Sequence, residues 1–394
     1  IRNCDWSSDV CSSDLEEYFY LDHAATTPMR ASAFEAYKFA ETEAFANSSG
    51  GHTLSRKAKN LLEDSREIIA KYFGAAPNEI TFTSGGTEAD NWVIKSNFQS
   101  KISDKSELIT TSIEHEAVLA SAEWVRENDY IVHFVSSDIN GVINTQELLD
   151  EVNENTKVVS VMFANNETGI VQPVKTIAEQ VKKINPNILF HSDVVQAVAT
   201  ENIDFHKLGI DSAAISGHKI GAPKGIGVMF LSSKFKLPSF LHGGKQELER
   251  RAGTVNVSGV AGLAAAVSEL EKNISNEKKK IEYERTSFED KLNSEIDVKI
   301  IGKDVPRLSH ISNIQFKNIN SETLMIALDL KGMGVSRGSA CASGAQKPSH
   351  VLKAMNISED VINNHLRFSF GWTTKDGDGL KAANMVISSV KELA

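Results

Sequence analysis

Residues 79–91, EITFTSGGTEADN, carry the strongest structural signal in the sequence. A β-forming run leads into Ser84-Gly85-Gly86-Thr87, and a helical pattern follows. Glycines at such a turn let backbone N–H groups approach an anion, and the N-terminus of the next helix adds a favourable dipole. No Gly-Lys-Ser/Thr follows and GxGxxG is absent, so the segment is neither a P-loop nor a dinucleotide fingerprint. It predicts a phosphate site or, equally, an ordinary glycine turn with Thr87 as the helix cap.

Around this segment, short apolar runs alternate with amphipathic stretches from about residue 18 to the 240s. This alternation is typical of βαβ units and of a doubly wound, mainly parallel buried sheet. The predicted strands are 79–83, 107–112, 131–135, 157–163, 188–194, 212–217 and 227–231. The predicted helices between several of them are 56–73, 117–128 and 174–185.

The sequence pattern changes near residue 258, where one long helix or a close pair is predicted. Further strand and helix signals follow at 310–316, 322–330, 365–370 and 376–393. We therefore predict a large α/β domain over 30–265 and a smaller C-terminal α+β domain over 266–394. An N-terminal arm, 15–29, is expected to pack with the small domain.

The first fourteen residues, IRNCDWSSDVCSSD, differ from the rest of the sequence. They have no hydrophobic periodicity and lack the basic and apolar regions of a secretory signal. The run 5–15 resembles the translation of a common sequencing adapter. We therefore expect 1–14 to be a disordered artefact of sequence assembly, which leaves Cys341 as the only cysteine of the real protein.

Composition excludes several classes of function. The 394 residues carry a net charge of −10 with no compensating Lys/Arg block, so binding of nucleic acid through a broad basic face is not expected. No run approaches 18 apolar residues, which argues against a membrane protein. Three cysteines are too few for a disulfide framework. We expect a cytoplasmic protein.

Two further signals lie at predicted strand ends. ILFHSDVVQ (188–196) delivers His191, Asp193 and Gln196 to the sheet edge where open α/β sheets bind ligands. The Asp could hold a protonated ring nitrogen, His-x-Asp could be half of a metal site with no third ligand nearby, or both could be structural. SAAISGHKIGAPKGIG (212–227) places Lys219 at a strand end, where a partly desolvated lysine can form a Schiff base. Lys224 competes with it, and residue type alone does not rank the two.

A phosphate cradle, an acidic partner for a ring nitrogen and a Schiff-base lysine are together the requirements of pyridoxal 5′-phosphate (PLP). Each signal alone is weak, but all three lie at strand ends of one predicted sheet. The combination predicts a PLP site and no metal site.

From residue 20 nearly to the C-terminus, the chain resembles the cysteine desulfurases, class V members of the fold-type-I PLP enzymes. The motifs that carry the resemblance, in order, are YLDHAATTP (20–28), NSSGGH (47–52), FTSGGTEADN (82–91), EHEAV (114–118), NNETG (165–169), HSDVVQ (191–196), SGHK (216–219), RAGTVNV (251–257), SRGSACASG (336–344), SHVL (349–352) and LRFSFG (366–371). The resemblance implies a doubly wound PLP domain, a small C-terminal domain and a homodimer.

The resemblance implies roles for individual residues. Lys219 corresponds to the lysine that binds PLP, Asp193 to the partner of the pyridine nitrogen, and His115 to the residue stacked on the ring. The phenolic oxygen is expected to be bonded by Gln196 and Asn166. The phosphate is expected to be held by Gly86, Thr87, Ser216 and His218, with Thr254 from the other subunit. The substrate carboxylate is expected to be held by Arg367 and Asn47.

The segment SRGSACASG, which contains Cys341, indicates the chemistry. Gly334, Gly338 and Gly344 flank the cysteine, so the sequence favours a mobile loop over a core strand. Small neighbours and nearby Arg337 favour a reactive thiolate, although a lone Cys is usually a buried hydrophobe. Ser-Ala-Cys-Ala-Ser resembles the branch with the longer catalytic loop.

The chain departs from the family pattern at several positions. Asn47-Ser48-Ser49-Gly50 replaces Asn-Pro-Ser-Ser, and Gly221-Ala222 replaces Tyr/His-Gly. Lys245 and Glu249 replace glycines before the Arg-x-Gly-Thr motif, which puts phosphate affinity or subunit geometry in question. None of these changes removes a catalytic group.

The expected reaction starts from L-cysteine and gives L-alanine and a Cys341 persulfide, with Lys219 or His115 as the base. The persulfide then passes to an acceptor protein such as an iron–sulfur cluster scaffold. Close alternatives are a selenocysteine lyase, a cysteine sulfinate desulfinase and a class V aminotransferase. A remote alternative is a non-catalytic PLP-binding regulator.

Overall fold

The structure is a computed structural model that describes residues 18–99, 105–338 and 348–393. The strands are β1 (Phe19–Tyr20), β2 (Ile80–Thr83), β3 (Glu107–Thr111), β4 (Ile131–Val135), β5 (Thr156–Ser160), β6 (Leu189–Asp193), β7 (Ser212–Ser216), β8 (Gly227–Leu231), β9 (Val298–Ile300), β10 (Ile311–Phe316), β11 (Met333–Gly334) and β12 (His365–Ser369).

The helices lie between these strands and after them. They are α1 (Ala31–Glu43), α2 (Thr53–Tyr72), α3 (Gly86–Ser96), α4 (Glu116–Glu127), α5 (Thr145–Glu151), α6 (Val174–Ile184), α7 (Phe205–Leu208), α8 (Val257–Glu295), α9 (Ser321–Leu330), α10 (His350–Ala354), α11 (Glu359–Ile362) and α12 (Asp378–Leu393). None of the helices in the described ranges is long and apolar enough to cross a bilayer.

A seven-stranded sheet forms the centre of the large α/β part, in the order β2-β8-β7-β6-β5-β3-β4. β8 pairs antiparallel with both β2 and β7, and all other pairs are parallel, so the mainly parallel sheet expected from the sequence is confirmed. β2, β6, β7 and β8 are buried at every position. Burial on both faces explains why these strands appear in the sequence as continuous apolar runs instead of alternating ones.

Strand β5 ends earlier than the sequence predicted. The apolar run continues to Phe163, but the strand stops at Ser160. The backbone N–H of Met162 donates to the Glu114 carboxyl at 2.8 Å, so a buried side chain takes over as its partner. The chain then turns through Asn165, whose side-chain oxygen accepts two backbone N–H bonds. Val161 and Phe163 still donate their backbone N–H groups to His191 and Asp193 at 3.1 and 2.8 Å, so the residues after Ser160 stay bonded to β6 on one side only.

The C-terminal part is built on a three-stranded antiparallel sheet in the order β12-β10-β9. β1 pairs in parallel with β11, which ties Phe19 and Tyr20 to this part of the fold. The long helical pattern is one 39-residue helix, α8, and not a pair. The first part of α8 packs in the core beneath the large sheet, and Ile281, Phe288 and Leu292 pack in the core of the small part. The predicted boundary at 265 therefore lies inside this helix.

Candidate functional site

The carboxyl ends of the parallel strands supply the candidate site, as expected for an open α/β sheet. β6 ends at Asp193, β7 ends at Ser216, and β2 leads through a short turn to Gly86. β3 leads to Glu114 and His115, and Asn166 follows the turn after β5. Residues far apart in the sequence meet here because parallel strands deliver their ends to one edge.

A cavity of about 170 Å³ opens at this edge. Ten of the predicted site residues line it: Gly86, Thr87, His115, Asn166, Asp193, Gln196, Ser216, His218, Lys219 and Arg367. Its other lining residues are Ala24, Ala25, Asp90, Met162 and Val195. Amine, carboxylate, imidazole and guanidinium groups are thus concentrated in one small volume.

The N-terminus of α3 forms one end of the cavity. No side chain caps the helix at Gly85, so the first N–H groups of the helix are left for another acceptor. A Cβ atom on Gly86 would lie 2.8 Å from Val195 Cγ2, so glycine is needed where the two segments approach. The Ser216 and Thr87 side chains lie beside this helix start, a donor set that suits a phosphate group.

His218 lies on the same side of the cavity as Lys219. Its Nδ1 is 3.0 Å from the Thr26 hydroxyl oxygen. Burial, together with the positive charges of Lys219 and Lys224, lowers the pKa of His218 to about 4. The imidazole is therefore neutral at pH 7 and can act as a hydrogen-bond partner without adding charge.

Lys219 reaches the centre of the cavity from the turn after β7. Its Nζ donates to the backbone oxygens of Ala24 and Ala25 at 2.6 and 2.7 Å. Lys224, the competing lysine, is exposed and does not line the cavity. The position of the two side chains therefore favours Lys219 as the amine of the site.

Asp193 and His115 face the cavity from two neighbouring parts of the sheet edge. Asp193 is buried, and its Oδ1 accepts the Val195 backbone N–H at 2.8 Å. Burial raises the pKa of Asp193, although the charges of His115 and Lys219 oppose that shift. His115 Nδ1 accepts the Ala117 N–H at 3.1 Å and caps α4. The imidazole ring is thus fixed by the helix that it begins.

Gln196 lies on the chain that follows β6. Its Nε2 donates to the Ala24 backbone oxygen at 3.0 Å. This bond ties the segment after β6 to the same N-terminal stretch that holds Lys219. The stretch from Ala24 to Thr26 therefore closes the cavity on one side and orients three of its polar side chains.

Arg367 is almost fully buried, with 1% of its surface exposed. One guanidinium nitrogen donates to the Asn166 backbone oxygen and the other to Asp22 Oδ1, both at 2.8 Å. Its Nε has no hydrogen-bond partner among the described residues. A guanidinium has five N–H donors, more than these two bonds use. A buried arginine with spare donors suits an anionic ligand.

Two predicted residues lie apart from this arrangement, and a third falls outside the part of the chain that the structure describes. Asn47 and Thr254 are exposed, and neither lines the cavity within the described chain. The Asn47 side-chain oxygen accepts the Ser49 N–H at 2.9 Å instead. Cys341 lies outside the described residues.

The positions Lys245 and Glu249, where the sequence departs from the family pattern, lie in an exposed turn and not in the cavity. They form an ion pair at 3.0 Å. Glu247, Leu248 and Glu249 all have positive φ angles of 48–64°, a region that side-chain-bearing residues rarely adopt. Glu247 is held in it by two bonds from buried Arg66, at 2.7 and 2.9 Å. Neither departure places a charge against the candidate phosphate position.

Sequence reasoning missed three buried acids near the site. Asp90 and Glu114 stand in the quoted motifs SGGTEADN and EHEAV, and Glu167 stands in NNETG. Each is at most 1% exposed. Glu167 Oε2 accepts the Ser349 hydroxyl at 2.6 Å, and a Cβ on Gly338 would lie 3.1 Å from the same oxygen. The only indication in the sequence was that each acid stands inside a motif that also contains a predicted site residue.

Comparisons with known proteins identify the family of the chain. The family model of the class-V aminotransferases matches residues 19–378. A cysteine desulfurase IscS of Methanosarcina thermophila is 36% identical over 393 residues, covering 100% of this chain and 96% of the relative. A cysteine desulfurase of Nostoc sp. is 38% identical over 352 residues, covering 89% of this chain and 87% of the relative.

Solved structures show the same similarity in three dimensions. A NifS-like protein superposes with a TM-score of 0.89 at 31% identity, covering 95% of this chain and 100% of that protein. SspA, solved in complex with cysteine, superposes with a TM-score of 0.80 at 31% identity, covering 89% of this chain and 98% of that protein. Similarity in sequence and in fold thus extends over nearly the whole chain.

Proposed function

Since the chain belongs to the class-V aminotransferase family, on its cysteine desulfurase branch, we propose that it removes sulfur from L-cysteine with the help of PLP. The products are L-alanine and a persulfide on Cys341. The observation that carries the proposal is the cavity in which Lys219, Asp193 and Arg367 meet the uncapped start of α3. An amine, a carboxylate, a guanidinium and an anion cradle suit a phosphorylated pyridine and an amino acid together.

The residues around the cavity fit PLP. Lys219 would bind it covalently, Asp193 would pair with the ring nitrogen, and His115 would lie against the ring. The phosphate would be held by the α3 N-terminus with Gly86, Thr87, Ser216 and His218, and the phenolic oxygen by Asn166 and Gln196. The uncapped start of α3 supports the phosphate assignment, because no side chain occupies its first N–H groups. When bound, PLP supplies an electron-withdrawing ring.

Arg367 would hold the substrate carboxylate, because its buried guanidinium has donors to spare and carboxylates accept two parallel bonds from it. Lys219 Nζ, freed when the substrate binds, would move the proton of the substrate α-carbon, with His115 as the second candidate base. A lysine amine is a suitable base when it is held at hydrogen-bond reach in a partly desolvated site.

The sulfur step requires the Cys341 thiolate. The thiolate attacks the substrate sulfur, a sulfur–sulfur bond forms, and the carbon–sulfur bond breaks. The electron pair of the broken bond stays with the carbon skeleton, which takes up protons and leaves as alanine. The sulfur remains on Cys341 as a persulfide and passes to the thiolate of an acceptor, for which we propose an iron–sulfur cluster scaffold in the cytoplasm.

We also propose that the active form is a homodimer. Large apolar side chains on and after α1 are exposed in the single chain, with Phe34, Phe39 and Phe45 each at 48–65%. Large apolar side chains left exposed in one segment suit a face that a second subunit covers. Exposed Thr254 could then reach the phosphate of the second subunit, which would explain why it does not line its own cavity.

The substitution Cys341→Ser tests the proposed function. The variant should retain the yellow cofactor and still change its absorbance when L-cysteine is added, because every cavity residue is intact. Alanine release should fall by a factor on the order of 100 or more, since a hydroxyl cannot form the sulfur–sulfur bond. No protein persulfide should accumulate.

Cys11→Ser is the matched control, because it makes the same chemical change in the segment that the sequence attributes to an adapter. It should behave as the unmodified protein. Normal alanine production from L-cysteine by Cys341→Ser would refute the persulfide route. In that case a lyase that releases sulfur or selenium without a thiol would be the better assignment.

A further inference from the structure

A line of hydrogen bonds runs beneath the cavity from α3 through three strands. Asp90 Oδ1 lies 3.1 Å from His191 Nε2, and His191 Nδ1 lies 3.3 Å from the Ser212 hydroxyl oxygen. The Ser212 hydroxyl donates to the Phe230 backbone oxygen at 2.8 Å. Asp90, His191 and Ser212 are all buried, with at most 1% of each residue exposed. Buried polar groups are almost always hydrogen-bonded, so we expect each proton in this line to have a partner within it.

The direction of these bonds can be read from the Phe230 end. A serine hydroxyl has one proton, and here Phe230 accepts it, so Ser212 can only accept from His191 Nδ1. His191 therefore carries a proton on Nδ1. Burial lowers the pKa of His191 to about 3, so the ring is neutral and its Nε2 is an acceptor. The proton between Nε2 and Asp90 Oδ1 must then belong to Asp90.

The surroundings of Asp90 agree with a protonated acid. Burial raises its pKa well above the ordinary value, and the nearby carboxyls of Asp193 and Glu114 add to the effect. One polar side-chain atom each of Asp90, His115 and Asp193 lies within 4.8 Å of the other two. Two carboxylates so close in a buried site cannot both ionise at modest cost. The charges of His115 and Lys219 favour ionisation of Asp193 instead.

We propose that Asp90 is a positioning residue that stays protonated, donates to His191, and so leaves Asp193 as the ionised carboxylate that faces the cofactor ring. The inference rests on the proposed function, because it assigns Asp193 to the ring nitrogen. The line of hydrogen bonds from Asp90 to Phe230 then has a role. Its members on three strands fix which partner donates in the Asp90–His191 bond, and this keeps a neutral acid beside Asp193. An ionised Asp90 would compete with Asp193 for the ring proton.

The substitution Asp90→Asn tests the position of the proton. An amide is neutral, has the shape of the acid, and can donate to His191 Nε2 as the protonated acid does. Nitrogen NMR of histidine-labelled protein should show His191 neutral and protonated on Nδ1 in both proteins, with and without PLP. The dissociation constant of PLP for Asp90→Asn should change by less than about threefold.

Two comparison variants sharpen the test. Asp90→Leu cannot donate, so it leaves the buried His191 Nε2 without a partner. It should lower the melting temperature of the protein without PLP, because an unpaired buried acceptor destabilises the folded state, whereas Asp90→Asn should leave that temperature nearly unchanged. Asp193→Asn makes the same chemical change as Asp90→Asn on the neighbouring acid. It should shift the cofactor absorbance and its pH profile, whereas Asp90→Asn should leave both in place.

A doubly protonated His191 in the unmodified protein would overturn the proposal, because Asp90 would then be an ionised partner. A loss of stability in Asp90→Asn as large as that in Asp90→Leu would overturn it as well. The NMR measurement on the protein without PLP is independent of turnover. Failure of the proposed function, seen with Cys341→Ser, is therefore distinguishable from failure of this inference.

Discussion

Glu114 provides a prediction whose sign and size follow from the structure. Its carboxyl is completely buried, accepts the Thr111 hydroxyl at 2.9 Å and the Met162 N–H at 2.8 Å, and has one oxygen with no partner among the described residues. Burial, with a contribution from Asp193, raises its pKa to about 8 from an ordinary value of 4.5. The folded protein thus holds a proton that the unfolded chain has already released at neutral pH.

A carboxyl whose pKa is higher in the folded protein than in the unfolded chain stabilises the fold fully at any pH below the unfolded pKa. That stabilisation is lost as the pH rises through the folded pKa. Between pH 5 and pH 8.5 the ionisation of Glu114 should therefore remove roughly 4 kcal/mol of the free energy of unfolding. Glu114→Gln keeps the shape of the protonated acid and cannot ionise. Its stability relative to the unmodified protein should rise across this range by about the same amount.

The assay is thermal and denaturant unfolding of both proteins, stripped of PLP, at intervals from pH 5 to pH 9. Glu289→Gln is a control of opposite sign. Burial opposes ionisation of the Glu289 carboxyl, but the hydrogen bonds and positive charges of Arg307 and Arg285 outweigh this effect and lower the pKa of Glu289. Its loss of stability should be greatest at neutral pH and should shrink in acid. A difference between Glu114→Gln and the unmodified protein that stays constant from pH 5 to pH 9 would refute the reasoning.

Two further predictions concern the site and the N-terminus. Borohydride reduction of the PLP-loaded protein followed by peptide mapping should place the label on Lys219, because Lys219 lines the cavity and Lys224 is exposed; label on Lys224 would overturn the site assignment. Deletion of residues 1–14 should leave the melting temperature and turnover unchanged, because the sequence attributes this segment to an adapter; a loss of several degrees would contradict that interpretation.

Ten of the residues predicted from the sequence line one cavity because parallel strands deliver their carboxyl ends to one edge. Asp193 and Lys219 lie near each other because the structure makes β6 and β7 neighbours in the sheet. Strand bounds were accurate where turns follow directly, as at 131–135 and 227–231. They were too long after Ser160, because a buried run does not show which side chain, here Glu114, will replace the next strand as a partner.

Hydrogen bonds between residues far apart in the chain could not be predicted from the sequence. The Asp90–His191 bond joins residues 101 apart, and neither residue type nor spacing indicates it. The order of the seven strands is likewise set by packing and not by any local pattern. Asn47 and Thr254 were predicted from the resemblance alone, and a single chain does not bring them to the cavity. Their assignment stays a prediction that depends on the second subunit.

The helix α8 has a mechanical consequence. Its 39 residues give it a length of roughly 60 Å at 1.5 Å per residue. Domains are usually joined by an exposed flexible linker, which a protease can cut and which acts as a hinge. Here one continuous helix passes from one core to the other. A protease can cut the middle of this helix, or the helix can bend there, only if helical hydrogen bonds break. The two cores should therefore resist twisting about each other and should melt in one transition.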